Sequence, residues 1–326
     1  MSASPPSHLS SRVIVAFACV YFFWGSTYTA IRIAGTHLAP PLVGACRTLL
    51  STVLLAGFCV LRGKSLKVTR GEAWRLALVG VLLMSANNVL LTWAETMVAS
   101  GLASLVVATM PIMIALIETG MPGGESLNKR GWAGTLLGTL GIVALVWPSL
   151  RRSTSDVGAR GERHLLAFGI LLVAALAFAV GSVLARRSKF KMDSFVATTW
   201  EIGAACVLNL VIAVGGGTLR TAVWTRTGVL AVVYLAIFGT IVGLSAYTYL
   251  LQHVPVTKVS TYAFVNPMIA VLLGIVLLGE RLAATEVLGM GMIVASVAMV
   301  ILSRVRRGTG AENAPTEDAT ADLREA

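Results

Sequence analysis

Ten long runs of apolar residues divide this sequence, and they constrain its fold more than any other feature. Each run has about the 20 residues that a helix needs to cross the hydrocarbon core of a bilayer. Strands of a membrane barrel would instead appear as shorter segments of alternating hydrophobicity. The pattern therefore predicts an all-α integral membrane protein. The predicted spans are residues 13–34, 40–61, 74–93, 98–118, 131–148, 164–185, 194–215, 228–250, 256–278 and 285–303.

The positions of the basic residues predict how the chain is oriented. With the N-terminus inside, the inner segments hold 16 Lys and Arg, and the outer loops hold 7. Cytoplasmic loops carry such an excess, although the outer loop 149–163, with its four Arg, goes against it. We therefore expect a multi-pass plasma (inner) membrane protein with both termini cytoplasmic. The net charge of +11 then reflects residues that flank spans, and it does not indicate nucleic acid binding.

The two halves of the sequence resemble each other. A shift of 156 residues superposes identical residue types, and it matches five predicted spans with five. Because five is odd, the second half must enter the membrane from the opposite side. The prediction is two inverted five-helix repeats, an architecture of many secondary transporters. The superposed pairs are Phe22 and Phe178, Gly25 and Gly181, Ser26 and Ser182, Thr92 and Thr248, Val98 and Val254, Ser104 and Ser260, and Pro111 and Pro267.

The repeat and the loop composition together predict the domain organisation. Both ends lie outside the spans, and the last residues are rich in Ala, Glu, Asp and Thr, which is typical of disorder. We expect a cytoplasmic leader at 1–12, the first repeat at 13–148, an outer linker at 149–163, the second repeat at 164–305 and a disordered cytoplasmic tail at 306–326.

Three segments resemble a known family. "FFWGSTYTAIRIA" is similar to the first-helix signature of the EamA-like family in the drug/metabolite transporter superfamily. "WAETMVASGLASLVVATMPIMIALIETGMPGGESL" and "YLLQHVPVTKVSTYAFVNPMIAVLLGIVLLGERL" resemble the helix four-to-five and nine-to-ten segments of that family. The resemblance covers about residues 13–303. It implies ten helices around a central cavity and movement of small metabolites, often export, without ATP.

Polar residues within the first span are candidates for the cavity. Trp24 and Tyr28 are four residues apart and so share one helix face, which either lines the cavity or packs. Gly25 and Thr29 form a small-xxx-small pair that favours close helix packing. Ser26 belongs to the candidate set as well.

Charged residues deep within spans are costly, so they should face a partner or an aqueous cavity. Arg47 lies seven residues past Pro40, which places it roughly 10 Å along the second helix. Glu201, next to Trp200, is the deepest carboxylate and our candidate for protonation. The alternative is that both charged residues pair or snorkel without a role in transport.

Proline and amide residues mark the middle of other spans. Pro111 and Pro267 correspond in the two repeats, and paired interruptions of this kind point to a transport site. A kink that only shapes packing is the alternative. Glu280, before the last span, is expected to cap or pair in its loop. The remaining candidates are Asn88, Ser182, Tyr247, Tyr262 and Asn266.

Enzyme sites are not indicated. The segment "GFCVLRGKS" has five residues between its first Gly and the Gly-Lys pair, whereas a phosphate-binding loop needs four. The four Cys lie in apolar spans, and the four His are scattered. We therefore predict neither catalytic residues nor a metal site nor a cofactor.

The sequence predicts a secondary transporter of small metabolites, such as amino acids or related compounds, that exports them by alternating access. A nucleotide-sugar or phosphate-ester carrier would need several Lys or Arg in its cavity, and Arg47 alone clearly qualifies. A passive facilitator or channel is the second alternative. The predicted partners are a small-molecule substrate and the bilayer, with coupling to a proton or another ion and the oligomeric state left open.

Overall fold

The computed structural model describes residues 11–122, 127–153, 158–188, 192–253, 259, 261–281 and 284–308. The two predicted terminal segments lie largely outside this range. Within it the regular structure is helical, without strands. We number the helices α1 Ser11–Gly35, α2 Pro40–Leu61, α3 Arg70–Glu95, α4 Ser100–Gly120, α5 Lys129–Ser153, α6 Gly158–Ser188, α7 Ser194–Gly215, α8 Arg226–His253, α9 Tyr262–Leu278 and α10 Ala284–Gly308.

Seven helices in the described part of the chain are long and apolar enough to cross a membrane: α1 to α4 and α6 to α8. In α9 and α10 the apolar stretches found there, Val265–Leu278 and Val287–Val300, are shorter. The all-α membrane class predicted from the apolar runs is therefore confirmed. The count of ten spans stays a prediction.

Helices from the first half of the chain pack against helices from the second half. α2 packs along α7, α4 along α9, and α5 along α10. In the same way α3 contacts α6, and α1 contacts α8. The core is therefore built between the halves, and each half supplies one wall of the interior.

Three helices contain a π-helical segment within the described residues. These segments are Val20–Trp24 in α1, Val81–Ala86 in α3 and Leu235–Val242 in α8. A π segment shifts the backbone hydrogen bonds by one residue, so it leaves carbonyl groups available to side chains. Such segments are rare and are often found at functional sites.

Glycines allow the closest contacts between helices. In α3, a Cβ atom on Gly80 would collide with the backbone of Glu201 in α7. In α1, a Cβ atom on Gly25 would lie 2.8 Å from the Cβ atom of Ile269 in α9. This second contact agrees with the packing role that the small-xxx-small spacing suggested for Gly25.

Polar contacts fix the helix ends on one side of the bundle. The Asp193 side chain caps α7 by accepting a hydrogen bond from the Phe195 N–H. Lys64, in the α2–α3 loop, donates to Asp193 at 2.7 Å and lowers the pKa of that carboxyl. At the start of α3, Thr69 and Glu72 form a capping box.

Candidate functional site

A cavity of about 110 Å³ lies inside the bundle. Side chains from both halves of the chain line it, and all three π segments contribute. Most of the lining residues are buried, and the cavity is partly enclosed. The lining comprises Trp24, Thr27, Tyr28, Ile31, Arg47, Leu83, Met84, Asn87, Asn88, Leu91, Val107, Met110, Phe178, Gly239, Thr240, Leu244, Tyr262 and Asn266.

Six of the residues that the sequence selected lie in this lining. They come from four helices, so the fold brings together side chains that are far apart in the sequence. Their role in binding substrate stays a prediction. The six are Trp24, Tyr28, Arg47, Asn88, Tyr262 and Asn266.

Arg47 is the charged residue of the cavity lining. Its side chain is 8% exposed, and both of its hydrogen-bond partners are neutral. Nε donates to the Thr240 hydroxyl at 2.8 Å, and Nη1 donates to the Asn88 side-chain oxygen at 2.8 Å. Among the described residues the ion pair is Lys64–Asp193, so Arg47 has no counter-charge there.

Two π segments hold the partners of Arg47 in place. The Asn88 side-chain nitrogen donates to the carbonyls of Leu83 and Met84, at 3.4 and 3.0 Å. The Thr240 hydroxyl donates to the carbonyl of Leu235, at 3.1 Å. Each of these carbonyls belongs to a π segment, and each donation leaves the partner's oxygen directed at the guanidinium. The orientation of Arg47 is therefore fixed by backbone geometry.

Aromatic rings form one wall of the cavity. The ring centre of Trp24 lies 5.0 Å from that of Tyr247 and 5.1 Å from that of Tyr262. The Trp24 indole N–H donates to the carbonyl of Gly239, in the π segment of α8, at 3.1 Å. Gly243 leaves room for the indole, which a Cβ atom at that position would strike. Tyr247 thus joins the aromatic group behind the cavity lining.

Other predicted site residues lie away from the cavity lining. The Ser26 hydroxyl bonds the hydroxyl of Tyr234 at 2.6 Å, and the Ser182 hydroxyl donates to the carbonyl of Phe178. Trp200 is 38% exposed and donates to the carbonyl of Leu66. The helix phase explains this difference, because depth in a span does not tell which face a residue occupies.

The remaining candidates are Glu201 and the two prolines. Glu201 is half-buried on α7, where its backbone meets Gly80. Pro111 begins the second part of α4, Met110–Gly120, after the break that follows Val107. Pro267 lies buried within α9, one residue after Asn266. The prolines thus border the site through their helices without lining it.

The sequence did not single out several lining residues. Thr240 and Gly239 lie in an apolar run, where one hydroxyl gives no signal. Asn87 adjoins Asn88, and its side-chain oxygen is buried without a hydrogen-bond partner among the described atoms. Phe178 corresponds to Phe22 under the 156-residue shift, and that correspondence could have selected it as a candidate site residue.

The Glu280 carboxylate joins the turn after α9 to the start of α4, and we call this set of hydrogen bonds the Glu280 clasp. Oxygen atoms of Glu280 accept hydrogen bonds from the Ser100 N–H at 2.8 Å, the Ser100 hydroxyl at 3.0 Å and the Gly101 N–H at 3.3 Å. Gly279 ends α9 with φ of 64°, and Gly274 leaves room for the carboxylate to fold back. The capping role expected for Glu280 is confirmed, and the helix that it caps is α4.

Glu95, at the end of α3, is 1% exposed. Neither of its carboxylate oxygens has a hydrogen-bond partner among the described residues. Arg32 and Glu280 are near enough to act on it electrostatically. The described residues contain no group of three His, Cys, Asp or Glu that could hold a metal ion.

The model of the EamA-like transporter family matches this chain twice, at residues 11–147 and 165–302. The chain belongs to the EamA-like transporter family. The resemblance seen in the sequence is thereby confirmed. The EamA-like chain is 34% identical over 290 residues to the "Uncharacterized inner membrane transporter YedA" of Escherichia coli strain K12, covering 89% of this chain and 90% of that protein.

Two further proteins are similar to this EamA-like chain. A WAT1-related chloroplastic protein of Arabidopsis thaliana is 26% identical over 286 residues, which cover 86% of this chain and 67% of that protein. A solved crystal structure has the same fold, with a TM-score of 0.63 at 20% identity over 90% of this chain and 99% of its own. Since the family and these named relatives are described as transporters or as related proteins, the EamA-like chain is a multi-pass membrane transporter rather than an enzyme.

Proposed function

We propose that this protein is a secondary transporter that exports small metabolites, such as amino acids or related compounds, by alternating access. The observation that carries the proposal is the central cavity, lined from both halves of the chain and containing one charged side chain among its described lining residues. A site between two structural halves can face one side of the membrane and then the other when the halves rock against each other.

The proposed architecture is ten membrane helices in two inverted repeats, with domain bounds 13–148 and 164–305. Two matches of one family model, to 11–147 and 165–302, support it. The helix pairs α2–α7, α4–α9 and α5–α10 give further support, because a two-fold axis brings corresponding helices together. The π segments of α3 and α8 also correspond under the 156-residue shift.

In the proposed mechanism, two sets of contacts would close the two ends of the cavity. On the proposed orientation, the Glu280 clasp lies at the outer end, and the rings of Trp24, Tyr247 and Tyr262 lie toward the inner end. Alternating access requires that each obstruction open while the other stays closed. The clasp joins α4 to the α9–α10 turn, so its opening would separate elements of the two repeats.

The cavity favours a small substrate. Pockets for drug-sized ligands usually measure about 300–1,000 Å³, well above the volume found here. Nucleotide sugars also carry two phosphates, which would need more cations than Arg47 supplies. The cavity therefore supports a small metabolite over the nucleotide-sugar alternative. Two carboxylates within the helices, the buried Glu95 and the half-buried Glu201, are available if a proton is coupled to transport.

Transport in reconstituted vesicles tests the proposal. We expect saturable efflux of at least one member of an amino acid and small-metabolite panel, with counterflow that accelerates when substrate is present on both sides. Runs at two pH gradients report coupling to protons. Flux that rises linearly with concentration and shows no counterflow would favour the passive-channel alternative.

The orientation gives a separate prediction. A cysteine at Ser188, in a background without the four native Cys, should resist a membrane-impermeant thiol reagent in intact cells and react after permeabilisation. Thr221, in the predicted outer loop between α7 and α8, is the matched control, and a cysteine there should react in intact cells. Labelling of the Ser188→Cys protein in intact cells would place this loop outside and reverse the topology.

A further inference from the structure

We propose that Arg47 binds a carboxylate of the transported molecule, so that the substrates are small organic anions with one carboxylate and an apolar body. This inference rests on the proposed function and adds the chemical class of the substrate. It assigns the guanidinium a direct role in recognition, and it assigns Asn88 and Thr240 the role of positioning it.

The first argument is the missing counter-charge. Arg47 is buried in the bundle, where a lone charge is costly and is normally paired or placed beside water. Its described partners, Thr240 and Asn88, are neutral acceptors, and the cavity lining contains no Asp or Glu. The cavity leaves space beside the Arg47 guanidinium, and the described lining residues supply no anion there. A substrate can bring that anion.

The second argument is the donor count. A guanidinium has five N–H donors, and the described hydrogen bonds use one on Nε and one on Nη1. Nη2 has no hydrogen bond among the described residues and lies beside Gly239 and Thr27, both of which line the cavity. The planar fork of a guanidinium matches the two oxygens of a carboxylate. The remaining N–H groups can therefore bind a carboxylate while the present hydrogen bonds hold the side chain in place.

The third argument is the rest of the lining. The polar group of Arg47, Asn88 and Thr240 is surrounded by aromatic rings and aliphatic side chains. The rings are those of Trp24, Tyr28, Tyr262 and Phe178. Such a surface suits an apolar body attached to the carboxylate. Because the lining lacks an acidic side chain, a primary ammonium group finds no ionic partner there. Recognition should therefore depend on the carboxylate and much less on an amino group.

The test compares carboxylates with their isosteric amides. The purified full-length protein in lipid nanodiscs is melted with phenylacetate or phenylacetamide, butyrate or butyramide, and leucine or leucinamide, at constant ionic strength. We expect at least one carboxylate to raise the melting temperature, with an apparent affinity tenfold or more above that of its amide.

Arg47→Gln should abolish this difference, and Arg47→Lys should retain part of it. Arg32→Gln is the matched control, because Arg32 lies outside this cavity lining and should leave the difference unchanged.

Each outcome bears on the inference. The inference is overturned if each carboxylate and its amide change the melting temperature of the parent protein equally, or if none of the carboxylates changes it. This comparison uses the parent protein alone, so it does not depend on whether a variant folds. A preserved carboxylate preference in Arg47→Gln also overturns it. The proposed function fails separately, if the vesicle assay finds no saturable transport of any metabolite. Saturable transport restricted to neutral or cationic compounds would leave the transporter standing and remove the anion site.

Discussion

Gly80→Ala is expected to destabilise the protein strongly and to lower its folded yield. The added Cβ atom would overlap the backbone of Glu201, so α3 and α7 must separate where they now touch. Overpacking usually costs about 1–3 kcal/mol, and a backbone obstacle cannot rotate away as a side chain can. We therefore expect a loss of about 3 kcal/mol, seen as a collapse in the monodisperse yield after detergent extraction.

Gly57→Ala is the matched control for this substitution. Gly57 is also a helical glycine, in α2, and a Cβ atom there meets nothing within 4 Å. Alanine should be neutral or stabilise the helix by about 0.5–1 kcal/mol. Yield and thermal melting of the two variants would be compared in the same detergent. A Gly80→Ala protein that melts with the parent would show that α3 and α7 do not approach as closely as described.

Glu280→Ala is expected to loosen the end of the bundle where the clasp joins α4 to the turn after α9. The substitution leaves the Ser100 and Gly101 N–H groups without their acceptor. Hydrogen bonds to a charged group contribute about 1.5–3 kcal/mol. A loss of about 2 kcal/mol shifts the balance between closed and open forms about 30-fold. A cysteine replacing Leu91, which lines the cavity, should then react much faster with an impermeant thiol reagent added outside.

Glu72→Ala provides the control for the loss of a capping carboxylate. Glu72 caps its own helix at the exposed start of α3 and does not join separate elements. The Glu72→Ala substitution should lower the stability of α3 and leave the labelling rate of the Leu91→Cys protein unchanged. Similar labelling rates in the parent and in Glu280→Ala would mean that the clasp does not control access to the cavity. Native cysteines are replaced in all of these proteins.

The helices and the class of protein could be predicted from the sequence because hydropathy acts locally. Each apolar run must become a helix in lipid to satisfy its backbone groups, whatever its neighbours are. Arg47 and Asn88 could be selected for the same reason, since a polar group in a span needs a compensating environment. The site residues found this way are those whose burial is costly.

The rest of the site depends on helix rotation and on tertiary packing. Trp200 and Glu201 were selected for their position within the seventh predicted span, yet the phase of α7 turns Trp200 toward the α2–α3 loop. Thr240 is an ordinary residue for an apolar helix, and it gains importance through the π segment around it. No local pattern announced these segments, because the shifted hydrogen bonds depend on contacts such as Asn88 with Leu83 and Met84.

The solitary charge of Arg47 has an electrical consequence. Among the described residues that line the empty cavity, Arg47 carries the one positive charge, and a bound carboxylate would neutralise it. Moving a full charge across a membrane potential involves about 2.3 kcal/mol per 100 mV. A negative cell interior would therefore favour the return of the substrate-free, positively charged site to its cytoplasm-facing form. It would have little effect on the outward movement of the substrate-bound site, which would carry no net charge. The voltage across the membrane could then drive the outward movement of organic anions without any second ion.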